Sequence, residues 1–115
     1  MDIEKREEGD VIIVTVGEPR VDAAIAIDFK DWFLPLATAP QETVVIDMAK
    51  VEFLDSSGLG AIVAVLKALT PSGKSVALAG LSETVAKVFR LTRMDRVFTI
   101  FEDVGAALNA RQTAK

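Results

Sequence analysis

The amino-acid sequence predicts an α/β domain: a mixed sheet of four to five strands, opened by an N-terminal hairpin, with about four helices packed against it. Three observations predict it. A weakly alternating, charged segment at residues 2–7 runs through a Gly9-Asp10 turn into Val11-Ile12-Ile13-Val14-Thr15-Val16, which is β-branched throughout. Between residues 44 and 79 a strand pattern, an amphipathic helix pattern and a second strand pattern follow one another. Such a unit crosses over right-handed and so favours parallel pairing. Half of the 115 residues are hydrophobic, enough to bury a core without staples. No linker, low-complexity tract or repeat divides them, so residues 1–115 read as one domain.

Taken in order, residues 2–7 read as an edge strand, and the mixed-sign run Glu4-Lys5-Arg6-Glu7-Glu8 as its solvated surface. The β-branched run that pairs with it ends at Gly17 and Pro19. From Asp22 the period changes: Ile25, Phe29, Trp32 or Phe33, and Leu36 recur at helical spacing, with Asp22 as the N-cap. Trp32 and Phe33 are expected in the core where this helix meets the sheet. Pro35 ends or kinks the helix, because an interior proline loses a hydrogen bond and clashes with the preceding turn. Val44-Val45-Ile46-Asp47-Met48 suits a central strand covered on both faces. Leu59, Ile62, Val63, Leu66 and Leu69 then mark a second helix, which Pro71 and Gly73 stop. Ser75-Val76-Ala77-Leu78-Ala79 is a strand, and residues 82–91 a third helix capped by Ser82. Val97-Phe98-Thr99-Ile100-Phe101 is the last strand, and residues 104–108 suggest a short closing helix.

Composition closes several functional classes. There is no cysteine and no histidine, which removes disulfides, thiolate metal sites and the commonest general base. No catalytic group, metal or cofactor is expected. Scattered surface acids and one helix cap account for Asp22, Asp28, Asp31, Asp47 and Asp55 more simply than a magnesium site. A Ser–Lys pair of Ser56 with Lys50 or Lys67 has only the residue types in its favour. The formal charge of −4 comes without a basic stripe, so no nucleic-acid partner is expected. No apolar run approaches the roughly 20 residues of a membrane helix, and the acidic N-terminus lacks the basic and apolar regions of a signal peptide. The expectation is a cytoplasmic protein with no membrane insertion.

The informative segment is Phe53-Leu54-Asp55-Ser56-Ser57-Gly58-Leu59-Gly60, where a strand-side loop meets the second helix. Four backbone N–H groups at a helix start lack intrahelical partners, and a serine there caps them. Gly58 and Gly60 each cost about 1 kcal/mol of helix propensity against alanine, which suggests a close approach to the backbone. A phosphate on Ser56 or Ser57 would sit at the positive end of the helix dipole. It would also place roughly −1.5 to −2 charges beside Asp55. The fold tolerates such a change and a docked partner does not. The plainer reading is that these serines only cap the helix. Gly58-x-Gly60 after a strand is also a partial dinucleotide fingerprint, but its third small residue is missing. The second helix carries Ala61, Ala64, Val65 and Ala68 away from its main stripe, so it is either buried all round or exposes a flat patch. The second option places Ser56, Gly58, Ala61, Ala64 and Val65 in or beside a docking surface.

Asp55-Ser56-Ser57-Gly58-Leu59-Gly60, between an apolar strand and an Ala/Val/Leu helix, closely resembles the signature of bacterial anti-sigma-factor antagonists. The likeness extends through the strand at 75–79 and the helix at 82–91 into Met94-Asp95-Arg96-Val97-Phe98, covering nearly the whole chain from about Val11. The resemblance implies a STAS fold and partner switching without catalysis. It makes Ser56 the phospho-acceptor of an anti-sigma factor that is itself a serine kinase, with Ser57 as hydroxyl neighbour and cap, and a serine phosphatase as the resetting enzyme. Asp22, Asp55, Ser57, Gly58, Gly60, Ala61, Ala64 and Val65 would then join Ser56 in the partner-binding region. Where the family has Gly-Glu-Leu-Asp, this chain reads Gly17-Glu18-Pro19-Arg20-Val21-Asp22, as if two residues were inserted. The alternative is a constitutive STAS subunit or scaffold, in a lipid-transport ATPase or a stress-signalling assembly.

Overall fold

The computed structural model describes residues 1–113, with side chains through Ala110. β1 (Ile3–Glu8) and β2 (Val11–Val16) form the expected antiparallel hairpin, in register from Ile3 opposite Val16 to Glu8 opposite Val11. Gly9 takes the positive φ of 61° that this two-residue turn requires. β4 (Thr43–Asp47), β6 (Ser75–Ala79) and β7 (Thr99–Phe101) continue the sheet in parallel, giving the order β1-β2-β4-β6-β7. The sheet is thus five-stranded, mixed and parallel from β2 onward.

Four helices cover it. α1 (Ala26–Phe33), α2 (Ser56–Leu69) and α3 (Glu83–Leu91) lie over one face, and α4 (Val104–Thr113) over the other. The strict alternation of a strand sorts the two cores. Ile12, Val14, Val16, Val44 and Ile46 meet Phe29, Phe33, Ile62, Val65 and Phe89 in the larger one. Val11, Ile13, Val45, Ala77 and Ala79 meet Ala107 in the smaller. A buried side chain of this size contributes about 1.5–3 kcal/mol, so the three-helix face supplies most of the stability. Phe33 is fully buried, while Trp32 is half-buried against its ring edge, the centroids 5.1 Å apart.

Several boundaries differ from the sequence reading. α1 begins at Ala26, not at Asp22. The Asp22 carboxylate accepts from the N–H of Ala24 at 3.0 Å, and its carbonyl from Ile25 at 3.1 Å. These bonds hold a turn before the helix instead of capping it. Pro35 falls inside a short 3-10 turn, Leu34–Thr38, which ends the α-helical geometry as expected. The last strand is shorter than its apolar run, because Val97 closes a 3-10 turn at Met94–Arg96 and is half exposed. Two elements lay outside the sequence reading altogether. β3 (Arg20–Val21) and β5 (Phe53–Leu54) pair in parallel as a separate two-stranded sheet. The Pro19 carbonyl prepares this pairing by accepting from Glu52 at 2.8 Å and Phe53 at 3.1 Å. Their pairing draws the loop after β2 against the segment that starts α2.

Candidate functional site

The loops after β2 and β4 meet at the carboxyl end of the parallel strands, where open α/β sheets offer a crevice. Asp55 organises the meeting. Its backbone is extended (φ −98°, ψ −176°), and one carboxylate oxygen accepts from the N–H of Gly58 at 2.8 Å, the geometry of an N-cap. The other oxygen accepts from the N–H of Ala23 at 3.2 Å. One side chain therefore caps α2 and ties its start to the Asp22 loop. This corrects the expectation that Ser57 is the cap: Ser56 and Ser57 occupy the first two helical positions, and both are exposed.

The two glycines, alike in sequence, differ in structure. A methyl group on Gly58 would collide with the carbonyl oxygen of Val21, well inside van der Waals contact. Gly58 is buried and lets β3 cross the first turn of the helix. The dinucleotide reading loses its anion site at the cap, since the Asp55 carboxylate already takes the Gly58 N–H at the helix start. Gly60 faces open space, with nothing within 4 Å of a built methyl. Its propensity cost has no internal steric cause.

The expected flat patch also needs correction. Ala61 and Val65 are 6% and 0% exposed and belong to the core; neither offers surface. The outward face of α2 carries Ser56, Ser57, Gly60 and Lys67, with Ala64 half-buried between them. Asp22 is half-buried beside this face and pairs with Arg20 at 3.4 Å. Sequence reasoning missed Phe53, which is 37% exposed with the Arg20 guanidinium 4.1 Å over its ring. Nothing in the local pattern marked that pair, because it depends on β3 lying beside β5. Lys67 stands roughly 16 Å along the helix from Ser56 by helical rise, out of reach as a general base. Among the described residues no three acidic side chains gather as a cation site, and no helix is long and apolar enough to cross a membrane.

Replacing Asp55 with alanine removes the cap and the tie to Ala23 together. The expected loss is about 2 kcal/mol in urea denaturation, whereas Ser56→Ala is expected to stay within about 0.5 kcal/mol of the parent. Equal losses from the two changes would show that the hydroxyl, not the carboxylate, holds the helix start.

Residues 2–107 match the family model of the STAS domain. The chain is 28% identical over 102 residues to the anti-sigma-B factor antagonist of Staphylococcus epidermidis, across 89% of this chain and 94% of the relative. A crystal structure from Thermotoga maritima, assigned as an anti-sigma factor antagonist, superposes with a TM-score of 0.83 at 28% identity, covering 94% of this chain and 92% of that one. The Bacillus antagonist SpoIIAA shares the fold in its unphosphorylated form (TM-score 0.79, 15% identity, 97% of both chains). Its phosphorylated form gives a TM-score of 0.71 at 14% identity, over 95% of this chain and 98% of that one. A match along nearly the full described length, on a five-stranded sheet with four helices, settles the family: the chain belongs to the STAS-domain family.

Proposed function

We propose that this protein is an anti-sigma-factor antagonist that switches partners through Ser56. Unphosphorylated, it binds an anti-sigma factor serine kinase in the cytoplasm and so frees a sigma factor. Phosphorylation of Ser56 by that kinase releases it, and a serine phosphatase restores the binding form. The chain itself catalyses nothing in this cycle. One observation carries the reading: the Ser56 hydroxyl is exposed at the first position of α2 while Asp55 does the capping. A phosphate added there changes the surface without removing a bond that holds the helix. The names of the relatives point the same way.

The docking surface in this proposal is the outward face of α2, formed by Ser56, Ser57, Gly60 and Ala64, with the Asp22 loop and Asp55 beside it. Ala61, Val65 and Gly58 support that surface from beneath. Gly60 gives a partner close access to the helix backbone, which accounts for a glycine with no neighbour of its own.

Peptide mass spectrometry on the native protein, in growth and in stress, tests the switch. The expected result is a phosphate on the peptide containing Ser56, with occupancy that changes with condition and is absent from Ser56→Ala. Full coverage of that peptide with no phosphate in either state would favour a constitutive subunit of a larger complex.

A further inference from the structure

At the far edge of the sheet from β1, the chain gathers positive charge. Lys87, Arg90, Arg93 and Arg96 stand within ten residues of a protein whose formal charge is −4. All four are exposed, and two exposed apolar side chains sit among them, Leu91 at 73% and Val97 at 50%. Arg90 pairs with Glu83 at 2.9 Å. Among the described residues Lys87, Arg93 and Arg96 form no ion pair.

Arg93 ends α3: it follows the last helical turn in the left-handed conformation that commonly closes a helix, its N–H donating to the Arg90 carbonyl at 3.2 Å. Its φ of 63° is the only positive value at a non-glycine position among the described residues. The left-handed region is disfavoured for any residue with a Cβ, and glycine fits there freely. The helix end accounts for the backbone shape, but glycine is the usual residue at that position; the exposed guanidinium that stands there instead forms no ion pair among the described residues.

Beside it lies a groove of about 410 Å³ between α3 and β7, with Leu81, Ile100 and Phe101 among its apolar walls and Arg90, Asp95 and Glu102 as its polar ones. Among the described residues β7 ends the strand order and pairs only with β6, which leaves its outer backbone edge for strand addition. We propose that this edge is a second docking site, for an extended acidic segment of a partner protein. The segment lies along β7, sets apolar side chains into the groove and meets Arg93 and Arg96 with carboxylates. An acidic partner is favoured over an anionic bilayer or a nucleic acid. Asp95 and Glu102 dilute the local charge, and the whole chain is negative, whereas those surfaces call for a denser cationic cluster. This surface shares no residue with the one around Ser56, so it stands or falls separately from the switch.

The test titrates the isotope-labelled full chain with a synthetic peptide alternating glutamate and valine, and with its lysine–valine counterpart, followed by NMR. Shifts confined to residues 90–101, given by the glutamate peptide alone and weakened by salt, are the expected result. Arg93→Gly is expected to weaken this binding about two- to fivefold while raising the melting temperature by a few degrees, because it relieves the left-handed strain. Equal binding of both peptides, no shift along β7, unchanged affinity in Arg93→Gly, or a preference for phosphatidylserine vesicles over the peptide would each overturn the proposal.

Discussion

Gly58→Ala is expected to destabilise the protein by about 3 kcal/mol, although alanine is the better helix former by about 1 kcal/mol. The added methyl meets the Val21 carbonyl, which is backbone held in the β3–β5 pairing and unable to swing aside as a flexible side chain would. Either β3 separates from β5 or the first turn of α2 shifts, and both disturb the tie from Asp55 to Ala23. Gly60→Ala, two residues on, is expected to stabilise by about 0.5–1 kcal/mol, since its methyl meets nothing and the unfolded chain loses freedom. Urea denaturation of the two variants side by side gives the comparison. A Gly58→Ala protein as stable as the parent would mean that β3 yields without cost, and the local account of the site would be wrong.

These two glycines also show where a sequence stops informing. Both appear as helix-start glycines, and their difference comes from β3, two residues long and without a pattern of its own. The long elements were legible because burial writes itself into them. Six β-branched residues form a strand with one face in each core, and the Leu59, Ile62, Leu66, Leu69 spacing places α2 correctly. The orientation of α2 was less legible, because Ala61, Ala64, Val65 and Ala68 make it apolar nearly all round. Only packing shows that Ala61 and Val65 turn inward while Ala64 lies at the boundary. The cap was ambiguous for a similar reason. Asp55, Ser56 and Ser57 are all good N-cap residues, and the frame among them is set by where β5 ends. Asp22, equally suited to a cap, spends its carboxylate on its own turn and on Arg20.

If Ser56 is the switch proposed above, a phosphate on it is expected to lower affinity for the proposed anti-sigma kinase about a hundredfold, about 2.7 kcal/mol, while leaving the unfolding free energy within about 1 kcal/mol. The two effects separate because they fall on different sides of the same atom. Toward the fold, the phosphate faces the N-terminus of a 14-residue helix, worth about 0.3–1 kcal/mol to an exposed anion. Repulsion from Asp55 works against that gain in a solvent-screened setting. Toward a partner, the same group adds roughly −1.5 to −2 charges at the head of a helix face that continues through Gly60 to Ala64. Close docking there would strip water from the dianion, the nearby Arg20 being already engaged with Asp22 and the Phe53 ring, and the bulk would hold the surfaces apart. Salt distinguishes these causes. Affinity lost to long-range repulsion returns as ionic strength rises, whereas affinity lost to desolvation and bulk does not. Calorimetric titration of the kinase with the phosphorylated and unphosphorylated chains, at two salt concentrations, is expected to show a gap that survives high salt. Equal affinities would remove Ser56 from the docking surface. A gap that closes with salt would keep Ser56 near the interface but outside its tightly packed centre.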